Sequence, residues 1–591
     1  DPDDPEYLLV GCDGGLYESF DRGQTWNYKA NLPLTQFYKL CVDNDKPFYN
    51  VYGGTQDNNT QGGPSQTHYA HGISNREWFN LLGGDGFEPA IDPTNPDIIY
   101  CQWQYGNLNR YERNSGETLD IQPQPEEGEI LKWNWNSALI ISPHDHKRLY
   151  YACQKIFRSD DMGNSWTKIS EDLTTGVDRN KLEVMGRVWS VDAVAKNNST
   201  SFYGSIISLA ESPLTEGLLI AGTDDGLIQV SRDGGGTWTE TGSFKGVPDM
   251  SYVSDVEPSR FEENVIYASF DNHKRDDFKP YILRSDDYGK SWKSIAANLP
   301  ENGPVHSIAL DHVDPDLIFA ATEFGVFFSR DGGEFWTQLK AGIPTIACRD
   351  LEIQRRENDL VVATFGRGFY ILDDYTPLRN LTPETFEAEA TIFPVKDAKI
   401  FPKAGPIGFG KRGSQGASFY TAENPPYGAV ITYHLKEGLQ SLKKIRQEEE
   451  KEKVKNEEPV YYPSWEDLRT EDREVDPQLI LTITDDSGAL VRRFTGPGGK
   501  GLHRVAWDLR HPYPGPIDIG GGKPGMWEPD RSGPMVMPGS YAVTISKRVR
   551  GEETVLAGPV AFEADLLGLN TTAYPDQPDA AAFRLEAAEF Y

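Results

Sequence analysis

The sequence predicts an all-β chain: a β-propeller, seven-bladed or alternatively eight-bladed, followed by an immunoglobulin-like β-sandwich with a charged helical insertion. Three observations predict it. An octapeptide, Ser-x-Asp-x-Gly-x-(Thr/Ser)-Trp, recurs five times. A hydrophobic strand flanked by an Asp-Pro-like turn and a glycine-rich turn precedes each copy and also recurs without it. Aromatic content of 12%, with 57 Gly and 40 Pro, favours strands and turns over helices. At 591 residues the chain is too long for one hydrophobic core, so two or three domains are expected.

The octapeptide appears as Ser19, Asp21, Gly23, Thr25, Trp26 and again as Ser159, Asp161, Gly163, Ser165, Trp166. It returns as Ser231, Asp233, Gly235, Thr237, Trp238 and as Ser285, Asp287, Gly289, Ser291, Trp292. The last copy, Ser329, Asp331, Gly333, Phe335, Trp336, has Phe in place of Thr. The pattern describes a hairpin turn. Its carboxylate accepts backbone N–H bonds, its Gly supplies a positive φ, and its Trp opens the next strand and packs between sheets. A turn staple is the better reading of all five aspartates than a catalyst. Units that lack the octapeptide, near 42–82 and 92–117, bring the count to about eight between residues 1 and 375. That matches the 40–50-residue period of four-stranded blades. The first unit lacks its inner strand and the last lacks a clear fourth strand. The chain opens inside a repeat, so earlier repeats are expected to precede it.

The domain reading follows. Residues 1–375 form the propeller, 376–427 an irregular linker rich in Gly, Pro and Phe, and 428–560 the sandwich. The insertion spans 435–458, where sparse apolar positions suit a solvent-exposed helix or hairpin. The tail 561–591 opens a further helix.

A net charge of −32 disfavours nucleic acid and anionic lipid as partners, although acidity mostly serves solubility. Cys12, Cys41, Cys101, Cys153 and Cys348 form no CxxC pair and read as buried thiols, not a disulfide frame or zinc site. No apolar run is long enough to span a membrane as a helix. "DNHKRDD" and "SRDGGG" lack the spacing of a calcium loop, and no GxSxG, HExxH or Walker sequence occurs. Neither a metal nor a cofactor is expected.

The octapeptides resemble the Asp boxes of sialidases, of the sortilin (VPS10) ectodomain and of the two-propeller xyloglucanases. The whole chain is similar to a bacterial group of secreted proteins labelled sortilin-like or "glycosyl hydrolase, BNR repeat". The residues that carry this are "GGTQDNNT" (53–60), "GGDGFEPAIDPTNPDIIY" (83–100), "LKWNWNSALIISPHD" (131–145), "DNHKRDDFKPYILRSDDYGKSW" (271–292), "ENDLVVATFGRGFYILDD" (357–374) and the C-terminal "GLHRVAWDLR…MVMPGSYAVTI". The sialidase resemblance would imply a Phe-Arg-Ile-Pro motif, which is absent. The xyloglucanase resemblance implies two aspartates facing each other across a cleft between propellers. "GGDGF" would carry one of them, Asp85, with its partner propeller in a preceding region.

Propeller geometry puts the octapeptide turns on one face and the second-to-third-strand and blade-to-blade loops on the other. That second face collects Gln56, Asp57, Asn58, Asp85, Gln104, Trp133, Trp135, Arg187, Trp189, Tyr252, Asp271, His273, Arg275, His306, Glu323 and Arg367. Aromatic rings beside carboxylates and amides suit sugar recognition, and carboxylates 5–9 Å apart would suit glycoside hydrolysis. Asp85 and Asp57 are the candidate catalytic pair. Gln56, Asn58, Gln104, Trp133, Arg187, Trp189, Tyr252, His306, Glu323 and Arg367 are candidate ligand contacts. Each has a plainer alternative: tight turns for Asp85 and Asp57, a core position for one of Trp133 and Trp135, a solvated surface for His273, and a salt bridge for Arg367. Three functions are compatible. The favoured one is a secreted or cell-surface binding or scaffold protein that holds a glycan, peptide or partner protein, with a larger complex left open. The others are a glycosidase acting on extracellular polysaccharide and a sortilin-like peptide receptor. All three imply an extracellular, periplasmic or outer-surface location.

Overall fold

A computed structural model describes residues 1–196, 202–405, 416, 420–515, 532–568 and 577–590. The chain divides into two compact units. One comprises Asp1–Tyr375 with Gly405–Glu423, and the other Thr376–Ala404 with Asn424–Tyr591.

The first unit is a β-propeller of successive antiparallel meanders. Seven sheets begin with Phe37–Val42, Ala90–Ile91, Leu139–Ile141, Ile206–Glu211, Tyr252–Pro258, Val305–Leu310 and Cys348–Gln354. Six have four strands. The last has three, ending at Phe369–Leu372. Each first strand lies beside the next, and Cys348–Gln354 lies beside Phe37–Val42, so the row closes on itself. An eighth, three-stranded sheet, Leu8–Cys12, Gly15–Ser19 and Asn27–Tyr28, precedes this ring. Its surface is open: Leu9, Val10, Trp26 and Tyr28 are exposed.

The octapeptide turns behave as staples. In the second copy Asp161 Oδ1 accepts the Ser165 N–H at 2.8 Å and the Ser159 hydroxyl at 2.8 Å. Its Oδ2 accepts the Ser165 hydroxyl at 2.7 Å, and Ser159 Oγ takes the Gly163 N–H at 2.8 Å. The copies at Asp21, Asp233 and Asp287 repeat these bonds. At Asp331 the backbone bond from Phe335 and the Ser329 hydroxyl bond remain, at 2.9 and 2.7 Å, but Phe335 has no hydroxyl to reach Oδ2. Those donors hold the Asp21, Asp161, Asp233 and Asp287 carboxyls below the usual range. The sequence suggested one positive φ per turn, but the residue before each glycine has one too, as at Met162 (φ 63°) and Tyr288 (φ 60°). Trp166, Trp238, Trp292 and Trp336 pack into cores beside their sheets, whereas Trp26 remains 42% exposed.

The first strands carry a second repeat that the octapeptide does not reveal. Five of them contain a β-bulge at the same position, at Tyr38, Ile207, Ser254, His306 and Arg349. A bulge inserts one residue and re-aims its neighbours. The residues that follow the bulges are Lys39, Ser208, Asp255, Ser307 and Asp350. Lys39 Nζ lies 3.3 Å from Asp350 Oδ1, while Asp350 Oδ2 accepts the Leu40 N–H at 2.9 Å. Asp255 Oδ2 accepts the Ile308 N–H at 2.8 Å. Carboxylates around the axis therefore tie one blade to the next. Burial pushes Glu88 up to about 7, against the opposing pull of Lys39.

In the second unit two sheets share one core. Ala390–Ile392, Ala429–Leu435 and Gly501–Trp507 form one. Ala398–Ile400, Glu552–Leu566, Gly539–Val549, Gln478–Asp485 and Leu490–Gly496 form the other. Alternate residues point inward, as at Ile431 and Tyr433, Leu481 and Ile483, and Val543 and Ile545, all buried with Trp507. The expected irregular linker 376–427 is corrected here. Ala390–Ile392 and Ala398–Ile400 are strands of these two sheets, and the second pairs in parallel with Ala564–Leu566. Their shortness hid them, since three residues show no periodicity. The insertion helix runs Leu442–Lys455, not from 435, because Ala429–Leu435 is a sheet strand. A second helix, Trp465–Arg473, joins it through a two-pronged Arg446–Glu471 pair at 2.7 and 2.9 Å. The tail contributes strand up to Leu566 and a helix over Gln577–Glu589. Among the described residues no helix is long and apolar enough to cross a membrane. Three of the five cysteines are buried, but Cys12 is exposed and Cys41 half-buried, which corrects the reading of five buried thiols.

Candidate functional site

The face opposite the octapeptide turns holds two side-chain clusters joined by Tyr38 and Arg349. The first is built on the turn Gln56–Asn59, where Asp57 (φ 59°) and Asn59 (φ 72°) both adopt left-handed backbone. Short polar side chains tolerate that conformation best. Asp85, from the next loop of the same blade, is buried beneath this turn. Its Oδ1 accepts the Asp57 N–H at 2.8 Å and its Oδ2 the Gln56 amide at 3.3 Å. Gln104 Oε1 accepts the Asp85 N–H at 3.0 Å. Burial raises the Asp85 carboxyl above its usual range; the Asp57 N–H opposes this, and the nearby Asp57 carboxylate adds to it. Asn58 turns outward, its amide on the Gln56 carbonyl at 3.0 Å. Tyr38, stacked on Phe87 at 4.9 Å, is pushed up to about 12 by burial and by Asp85 and Asp57.

The second cluster centres on His306, buried at its bulge. Its Nε2 lies 2.9 Å from Glu323 Oε2 and its Nδ1 3.4 Å from Asp271 Oδ2. Asp271 also holds His273 Nδ1 at 2.7 Å. Arg349, one blade further on, is 3.7 Å from Glu323 and 4.7 Å over the Phe365 ring, which itself lies 5.9 Å from Tyr38. Asp271 is held below the usual carboxylate range by His306 and His273 against a large burial penalty. The hydrogen bond from His306 does the same to Glu323. With a carboxylate at each ring nitrogen and the Arg349 guanidinium 3.3 Å from Nε2, His306 is a polar hub joining neighbouring blades.

The loop Lys132–Ser137 reaches into the same region. Asn134 donates to Ser205 Oγ at 2.7 Å and to Asp224 Oδ2 at 3.2 Å. Trp135 follows, its ring 5.4 Å from that of Tyr105. Burial raises Asp224 to about 7 against three hydrogen bonds from Gly204 and Ser205.

The expected contacts thus sort into groups. Gln56, Asp57, Asp85 and Gln104 form one cluster, and His306, Glu323, Asp271 and His273 the other. Trp133 is corrected: it is 8% exposed and packs on Tyr151 and Phe157, in a loop and not in the expected strand, and Trp135, two residues on, is half-buried. His273 is not a solvated surface histidine, being held by Asp271. Arg367 is exposed and makes no ion pair among the described residues. Arg187 stacks on Trp189 at 3.4 Å, and Trp189 Nε1 bonds Val184, a cluster local to its own loop. Arg275 is used on the Asp249 carbonyl at 2.9 Å. Sequence reasoning missed Tyr38 and Arg349. Aligning the first strands "FYKLCV", "VHSIAL" and "CRDLEI" puts Tyr38, His306 and Arg349 in one column, which was the available signal. Among the described residues no group of His, Cys, Asp and Glu is arranged to hold a metal ion.

Comparison with known proteins adds the following. The family model described as "BNR-Asp box repeat" matches residues 282–295. A Xyloglucanase of Paenibacillus sp is 22% identical over 316 residues, 46% of this chain. The match covers 29% of that relative, so the chain spans under a third of its length. Two similar solved structures are YCF48 from Cyanidioschyzon merolae and the extracellular domain of BT3049 from B. thetaiotaomicron. The first is 10% identical with a TM-score of 0.39, covering 58% of this chain and 96% of that one. The second is 9% identical with a TM-score of 0.40, covering 94% and 61%.

Proposed function

We propose that this is a secreted or surface-located binding and scaffold protein whose seven-bladed propeller holds a carbohydrate on the face opposite the Asp boxes, followed by an immunoglobulin-like sandwich. The observation that carries the reading is an aromatic pair beside amide and acid groups. Tyr105 (φ 65°) stands at the tip of a tight turn, 36% exposed, its ring 5.4 Å from Trp135 and edge-on to it. Gln104 is its neighbour in that turn, and Asp85, Gln56 and Asp57 follow by direct hydrogen bonds. Rings of this kind stack on the apolar face of a sugar while amides and acids take its hydroxyls. The distant likeness to a Xyloglucanase points to the same ligand class.

Binding is favoured over hydrolysis because Asp85 is buried beneath the turn and both its carboxylate oxygens are taken up by it, Oδ1 by the Asp57 N–H and Oδ2 by the Gln56 amide. Glycoside hydrolysis uses carboxyls about 5–9 Å apart, with a sugar or water between them.

The test is retention of the full chain on polysaccharide gels, beginning with xyloglucan. Tyr105→Ala is expected to weaken retention about tenfold, one stacked ring being worth roughly 1–2 kcal/mol. Its melting temperature should not move, because the ring is exposed. Retention unchanged in Tyr105→Ala removes the proposal. Release of reducing sugar by the wild type, abolished in a stably folded Asp85→Asn, replaces it with the hydrolytic reading.

A further inference from the structure

The second unit carries a cationic pocket, although the chain as a whole has a net charge of −32. It is a cavity of about 630 Å³ at one end of the sandwich, within the size range of small-molecule sites. Strand Leu490–Gly496 contributes Arg492. The segment after Gly501–Trp507 contributes Asp508, Arg510, His511 and Tyr513, and the chain around 401–403 and 427 adds Lys403 and Tyr427.

The scaffold beneath these groups is fixed. His511 N–H donates to the Pro534 carbonyl at 2.9 Å and Val536 N–H to the Leu509 carbonyl at 2.9 Å, laying the two segments side by side. Gly533 is required there, because a Cβ would come within 2.0 Å of the His511 carbonyl oxygen. Arg510 donates one N–H to the Gly533 carbonyl at 2.8 Å, and Arg492 one to the His511 carbonyl at 3.1 Å. Each bond orients a guanidinium and leaves most of its donors unused. Lys403 stands 4.8 Å over the Tyr427 ring. None of the three cations has a carboxylate at ion-pair distance among the described residues, and Asp508 is the one acid in the wall. Burial and the neighbouring Arg492 lower the His511 pKa, so its ring is neutral at pH 7.

Three cations that make no ion pair among the described residues share one cavity with two tyrosines, which makes a site for an anion attached to a ring. We propose that this pocket binds an acidic sugar unit, with Arg492 and Arg510 on its carboxylate or sulfate, Tyr427 or Tyr513 against the ring face, and Asp508 on a hydroxyl. Arginine forks match planar oxyanions, and tyrosine rings such as that of Tyr513, 43% exposed, match pyranose faces. The site is independent of the propeller face.

Calorimetric titration of the full chain tests this with trigalacturonate, a sulfated disaccharide, neutral galactotriose and sodium sulfate. At least one acidic sugar should bind with a dissociation constant below about 1 mM, weakening as salt rises. Galactotriose and sulfate alone should not bind measurably. Arg510→Gln and Arg492→Gln should each lower the affinity at least tenfold. Lys403→Gln, at an exposed residue that the fold does not use, should lower it several-fold with the melting temperature unchanged, which covers any failure of the arginine variants to fold. Tyr105→Ala should have no effect. No binding of either acidic sugar, equal binding of galactotriose, or full affinity in Lys403→Gln together with a folded arginine variant overturns the proposal. Binding of sulfate as tight as that of the sugars reduces the pocket to an ion site and also overturns it.

Discussion

Replacing His306 by Gln removes the imidazole at the hub of the second rim cluster while nearly keeping its volume. His306 is buried between Asp271 at 3.4 Å and Glu323 at 2.9 Å. Removing one partner of a buried pair typically costs about 3–5 kcal/mol, because the other charge stays uncompensated. Here each acid keeps a second partner, Asp271 its His273 at 2.7 Å and Glu323 its Arg349 at 3.7 Å. The Glu323 side chain is 33% exposed, so solvent screens its share, and most of the loss belongs to Asp271, 10% exposed. The lower end of the range, about 3 kcal/mol, is expected. For a unit of roughly 390 residues, at about 2.1 cal/mol/K per residue, that lowers the melting temperature by about 4 °C. The pH dependence has a definite sign. Both carboxyls are held below their unfolded values, so their stabilisation is present above about pH 4 and is lost as pH falls through the depressed values. Calorimetric melting of wild type and variant at pH 6 and pH 3 should show a difference that shrinks in acid. A shift under about 1 °C at pH 6, or an undiminished shift at pH 3, refutes the ion-pair account.

Other consequences can be checked by the same melting measurements. Trp336→Ala should cost about 3–5 kcal/mol, because the ring is 2% exposed and its Nε1 holds the Ile295 carbonyl at 2.8 Å. Trp26→Ala, at the same motif position but 42% exposed, should cost under about 1 kcal/mol. Gly54→Ala should sharply reduce soluble, folded protein, since the new Cβ would stand 2.1 Å from the Phe87 carbonyl oxygen and 2.3 Å from the Gly86 carbonyl carbon, both backbone atoms.

The five octapeptides were readable because a hairpin turn is local. Every bond Asp161 makes is within four residues, so spacing alone specifies it. The alternation that marks Ile431, Tyr433, Leu481 and Ile483 as inward-facing is local in the same sense. The clusters on the opposite face are another matter. Gln56 and Asp85 are 29 residues apart, and Lys39 and Asp350 are 311 apart. Which of Trp133 and Trp135 faces the core depends on whether Tyr151 and Phe157 lie behind the loop, which its own residues do not encode.

What the sequence determined by itself is the repeat, the turn chemistry of the Asp boxes and the face on which function was to be sought, since each rests on contacts between near neighbours. What only the tertiary structure decided is how the side chains on that face are arranged. Asp85 proved to be occupied in holding the turn of Asp57, and His306 to be locked between two acids. Tyr105 and Trp135 were left as the rings at the rim. Ring closure brings together side chains hundreds of residues apart, and only then do burial and charge assign each one its role.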